Sequence, residues 1–147
     1  MTSAHGSSKC PVTFGLDLFG DRWSLLLVRD MVFRGKRRYS EFAKSYEKIA
    51  TNILANRLAK LEDAGIVSSD PDPDHQARKL YYLSPKGIAL IPVLLEIIRW
   101  SAQQHPDLYS DTPLIAGGPP DLLQRMETDR DGLIADLCDA CLKRDTA

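Results

Sequence analysis

Long apolar runs are missing from this sequence. No stretch of the 147 residues approaches the length that crosses a bilayer. The opening MTSAHGSSKC has no apolar core, so a secretory signal is not expected and a cytoplasmic protein is. Cysteine is scarce. Cys10, Cys138 and Cys141 are an odd set, which argues against a disulfide framework and for reduced thiols. Cys138 and Cys141 form a lone C-x-x-C, without the further ligands of a structural zinc site or the βαβ setting of a thioredoxin-like motif. The histidines His5, His75 and His105 are scattered, with no carboxylate or cysteine at ligand spacing. A glycine-rich phosphate loop is lacking too, since AGGPP has no strand before it and no helix after it in the required pattern. With neither a nucleophile–base pair nor a metal set, no enzyme, cofactor or metal is expected.

What is present is a globular composition, 44% hydrophobic, and a length that suits one domain or one domain with an appendage. The net charge of −1 conceals a division: residues 20–60 sum to +6 and residues 61–147 to −7. A basic segment beside an acidic one points to one surface that meets a polyanion.

The apolar spacing gives a coarse order of elements. Residues 1–9 read as a disordered tip. A helix is expected from about Pro11 to Leu18, a turn at Gly20, and a second helix capped by Asp21. RGKRR is a basic loop. YSEFAKSY starts a short helix with Ser40 as its cap, and Thr51 to Ala64 forms the next, with Leu54, Leu58 and Leu61 as its buried stripe and Gly65 after its last turn. IVSSD and KLYYLS then read as a hairpin joined by a proline-rich loop, PDPDHQAR. Ser84 and Pro85 open a long helix to about Gln104, apolar on more than one face, which Pro92 should kink. A linker follows, and Asp121 to Arg144 is amphipathic, broken in two near DRDG. The fold class expected is mainly α with a small β-hairpin wing: a winged helix-turn-helix with an extra C-terminal helical extension. The divisions are 1–9, 10–105 for the winged helix, and 106–147 for linker and extension.

A helix-turn-helix lays its second helix in the major groove. In IATNILANRLAKLEDAGIV the side opposite the leucines carries Thr51, Asn52, Ala55 and Asn56. Asn pairs with adenine, and Thr or Ala meets a thymine methyl. Thr51, Asn52, Asn56 and Arg57 are therefore the expected base contacts. Arg37, Arg38, Tyr39, Ser40 and Lys60 suit the phosphate backbone, and His75, Arg78 and Lys79 the wing. Taken singly, each of these is more simply a solvated or capping residue; the constellation and the charge division together favour double-stranded DNA.

CPV, GDRWSLLLVRDM, RRYSEFAK, IATNILANRLAKLEDAGIV, YYLSPKG and IPVLLEIIRW follow one another in an order that resembles the HxlR-type transcriptional regulators, relatives of the MarR group. The resemblance runs from Cys10 to Trp100. It implies a winged-helix homodimer on an imperfect palindrome, paired through the first helix and the long helix after the wing. Val12, Leu16, Ile91, Leu94, Leu95 and Ile98 are the residues so implied. It also implies an oxidant or electrophile effector sensed at Cys10, just before Pro11. The chain departs from the family pattern at Ala50, where a small polar cap is usual, so Thr51 is expected to cap instead. It departs again at Asp70, Asp72 and Asp74, which should repel phosphate from the wing, and in the extension beyond Trp100. Two alternatives stand beside a redox-responsive repressor: a small-molecule-responsive regulator with a pocket near Phe14, Trp23 or Trp100, and a winged helix used for protein contacts. Trp23 and Trp100 are more simply core.

Overall fold

Leu54, Leu58 and Leu61 occupy one face of helix α4 (Thr51–Asp63) and are almost wholly buried. They share a core with Val28 and Val32 of α2 (Ser24–Arg34), Phe42 of α3 (Tyr39–Ala43), and Ile66 and Val67 at the approach to the hairpin. This computed structural model describes residues 8–107, 109 and 115–146, with side chains as far as 142. Residues 1–7 of the expected tip lie outside the described residues. Helix α1 (Pro11–Phe19) buries none of its residues completely. Pro11 opens it, where a missing N–H costs nothing. The Asp21 carboxylate accepts from the N–H groups of Trp23 and Ser24 and from the Ser24 hydroxyl, so it caps the approach to α2 as expected. Ser40 is no cap: it lies inside α3, and the Glu41 carboxylate accepts the N–H groups of Arg37 and Arg38 instead.

The wing is longer than its composition indicates. Strands β1 (Val67–Asp72) and β2 (His75–Leu83) pair antiparallel from Val67↔Leu83 to Pro71↔Lys79, then shift register to Asp72↔His75. Most of PDPDHQAR is therefore strand, and only Pro73 and Asp74 turn. Cross-strand hydrogen bonds override the polar, proline-rich composition, and Pro71 is tolerated because β1 pairs only with β2 and keeps its other edge open. The N–H of Tyr81 donates to the carbonyl of Arg37 at 2.8 Å, which fixes the wing to the segment before α3.

Gly65 leaves α4 with φ +75°, a left-handed conformation that a side chain would strain. Gly87 is where helix and wing touch: a Cβ there would stand 2.2 Å from the carbonyl oxygen of Ile66. The long helix is two helices, α5 (Pro85–Ile88) and α6 (Ile91–Gln104), interrupted at Ala89 and Leu90. Pro92 does not kink a continuous helix. It sits in the first turn of α6, where no donor is required.

The extension divides at Asp129 into α7 (Leu122–Thr128) and α8 (Arg130–Thr146), as expected. Leu122, Met126, Leu133, Leu137 and Cys141 enter the same core as the winged helix, with α8 against α2 and α6. Arg130 to Glu96 at 3.6 Å, and Arg99 to Glu127 at 4.0 Å, join the extension to α6 at its surface.

This packing corrects the expected dimer surface. Ile91, Leu94 and Leu95 are buried inside the protomer, and Ile98 is half-buried against its core. On α6 and α1 the apolar surface left over lies on Ile97 and Trp100, 46% and 64% exposed, and on Val12, Phe14 and Leu16. Trp23 packs on the core as expected, but Trp100 does not. Among the described residues, no helix is long and apolar enough to cross a membrane.

Candidate nucleic-acid interface

Helix α4 presents Thr51, Asn52, Ala55, Asn56, Ala59 and Lys60 to the outside. Ala50 takes the cap position with an extended backbone and no side-chain bond. Thr51 is the first helical residue and does not cap, contrary to expectation. The first-turn N–H groups of α4 thus have no side-chain cap, which leaves them able to meet an anion. The Tyr39 hydroxyl donates to the carbonyl of Thr51 at 2.7 Å, pinning the start of α4 to the start of α3.

Arg57 is not on this face. Helical spacing sets it on the flank of the leucine stripe, and its Nε lies 3.1 Å from Asp21 Oδ2. Both side chains are about three-quarters buried, at 24% and 26% exposure. Its expected base contact is therefore replaced by an ion pair that ties α4 to the turn between α1 and α2.

Several other cations of the basic segment are also spent internally. Asp30 is buried and takes Arg29, Arg34, Lys36 and the Ser45 hydroxyl. Arg29 also grips Glu47 through both carboxylate oxygens, at 2.7 and 2.9 Å, and holds that carboxyl down at about 2. The +6 of residues 20–60 therefore overstates what this region offers a polyanion.

A cleft of about 490 Å³ brings Arg38, Tyr39, Ser40, Arg78 and Lys79 together between α3 and the wing, with Ala77 and Tyr81. His75 stands apart at the hairpin turn, and Arg37 lines a different and much smaller recess beside Met31 and Cys141. Lys60 lies by Arg57 and Asp21, away from the wing. Lys79 reaches toward Glu62 at 3.9 Å. The wing acids divide. Asp70 is exposed and accepts from the Tyr82 hydroxyl. Asp72 is buried and paired with Arg38. No short-range signal in the sequence links two residues so far apart.

Cys10 is exposed at the N-terminus of α1. Hydrogen bonds from the backbone of Thr13, then of Val12, hold its thiol below the ordinary value. Burial pushes Cys138 the other way.

Residues 18–109 match the model of the HxlR-like helix-turn-helix family. The chain belongs to the HxlR family. It is a transcriptional regulator of the MarR-like helix-turn-helix class, not an enzyme. The uncharacterised HTH-type transcriptional regulator YvaP of Bacillus subtilis is 34% identical over 66% of this chain and 90% of its own. The HTH-type transcriptional regulator YodB of the same organism is 31% identical over 67% of this chain and 88% of its own. The solved structure of reduced YodB matches with a TM-score of 0.54, at 31% identity over 65% of this chain and 94% of that one. The redox regulator HypR in reduced form matches with a TM-score of 0.57, at 32% identity over 67% of this chain and 96% of that one. The HxlR match ends at residue 109, so α7 and α8 lie beyond it.

Proposed function

We propose that the protein is a homodimeric repressor, acting in the cytoplasm, that reads a palindromic operator with the first half of α4. The observation that carries this is the exposed row Thr51, Asn52 and Asn56, with no side-chain cap before it, beside a cleft holding Arg38, Arg78 and Lys79. Asn52 and Asn56 suit adenine edges, and the cleft suits a backbone phosphate. Residues 10–105 form the unit that binds and dimerises. Exposed apolar side chains on α1 and α6 support pairing of two copies through those helices, which would space two α4 helices about one DNA turn, ~34 Å, apart. Fluorescence anisotropy with the duplex upstream of the protein's own gene, against random duplex and over a salt series, tests the reading. Tight binding to the upstream duplex alone, weakening with salt, is the expected outcome. Absence of binding to either duplex would favour a protein-interaction role.

A second element is carried by Cys10. An exposed, acidified thiol at the start of an exposed helix fits an oxidant or electrophile sensor, and a redox regulator, HypR, is among the solved structures that this chain is similar to.

A further inference from the structure

Asp72 is an acid in a place that phosphate should avoid, yet it is almost wholly buried. Its Oδ2 accepts from Arg38 Nε at 2.9 Å and its Oδ1 from Nη2 at 3.4 Å, while the N–H of Asp74 donates to Oδ1 at 2.9 Å. Asp74, at 3.4 Å from Nη2, is an exposed and looser partner. The Asp72 side chain is 3% exposed and that of Arg38 is 40% exposed, so the pair has its negative end inside and its positive end outside. Arg38 lines the cleft together with Tyr39, Ser40, Arg78 and Lys79.

We infer that Asp72 is a positioning residue for DNA binding: it holds the Arg38 guanidinium ready in the cleft, so that a backbone phosphate meets an arginine already ordered. This rests on the DNA-binding reading above. A free arginine loses its rotamer freedom on meeting a phosphate, whereas one already clamped by a buried carboxylate has lost it during folding. The second effect of the clamp is to seat the wing. Arg38 lies before α3 and Asp72 at the end of β1, and the bond from Tyr81 to Arg37 runs alongside. The wing acids therefore act in opposite senses. Asp70, exposed and without an arginine, opposes phosphate; Asp72 recruits it through Arg38.

The sign of one substitution separates this from simple electrostatics. Removing a negative charge near DNA should tighten binding if charge alone counts. If Asp72 positions Arg38, Asp72→Asn weakens binding to a random-sequence duplex by roughly three- to tenfold, the cost of re-ordering one long side chain at an interface. Asp70→Asn, measured beside it, tightens binding. The decisive measurement is the double variant. In an Arg38→Ala background, Asp72→Asn no longer weakens binding, while far-UV circular dichroism and the thermal midpoint report that each variant is folded. Tighter or unchanged binding by Asp72→Asn overturns the inference. So does equal weakening with and without Arg38, since Asp72 would then serve only the fold of the wing. If the unaltered protein binds no duplex at all, the DNA-binding reading fails and takes this one with it.

Discussion

At the scale of single residues, the clearest distinction on α4 is between Asn56 and Arg57, neighbours in sequence with opposite surroundings. Asn56 faces out, and Asn56→Ala should weaken operator binding by about 1–3 kcal/mol while leaving random duplex unaffected. Anisotropy on both duplexes checks this, and equal loss on the two would remove Asn56 from the base contacts. Arg57 faces Asp21, so Arg57→Ala should leave sequence preference unchanged and lower stability by on the order of 1 kcal/mol or less. Helical spacing already sets Asn56 opposite the leucines and Arg57 on their flank; that Asp21 covers Arg57 is decided only by the neighbouring turn. Glu47 gives a pH dependence with a definite sign. The Arg29 guanidinium lowers its carboxyl from 4.5 to about 2. The folded state therefore holds the charged form better than the unfolded chain does. That contribution is complete above 4.5 and is lost as pH falls toward 2. Urea midpoints across that range should fall less steeply in Glu47→Gln than in the unaltered protein.

At the scale of elements, the helices followed from periodicity, and the errors fell where a boundary depends on a partner. The stripe Leu54, Leu58 and Leu61 was legible because burial on one side imposes its spacing on the sequence. The length of the wing was not, because hydrogen bonds between β1 and β2 turn a loop composition into strand. Pro92 reads as a kink only if α5 and α6 are taken as one helix. In the first turn of α6 it takes no donor from the helix, so Pro92→Ala should shift stability by less than about 1 kcal/mol, measured by urea unfolding. Leu133 in α8 is wholly buried, and Leu133→Ala should cost about 2–5 kcal/mol in the same measurement. A loss below 1 kcal/mol would mean that the extension is only loosely seated on α2 and α6.

At the scale of the whole molecule, the extension bears on the proposed dimer. Leu122, Leu133 and Leu137 are buried in the core of their own chain, while Ile97 and Trp100 on α6, and Val12, Phe14 and Leu16 on α1, stay exposed and would be the surface for a second copy. Trp100→Asp should convert a dimer to monomers in sedimentation velocity and weaken operator binding, since a single α4 reads only a half-site. The effector proposal belongs at this scale as well. Diamide should abolish operator binding by the unaltered protein and leave Cys10→Ser insensitive; continued binding by oxidised protein would exclude Cys10 as the sensor.

The sequence by itself determined the class of fold, the order of helices and hairpin, the stripe of α4 and the family. Each of these is written in short-range spacing, which one-sided burial and turn chemistry enforce. Only the tertiary structure decided which charges remain for a polyanion. Asp21 and Asp72 take Arg57 and Arg38 across turns and between elements, whereas Asp30 takes its arginines, Arg29 and Arg34, from its own helix. The same holds for the apolar residues of α6, which packs against both α2 and α8 and leaves Ile97 and Trp100 outside. Pairing between distant residues leaves no period in a sequence, so it becomes visible only when the chain is folded.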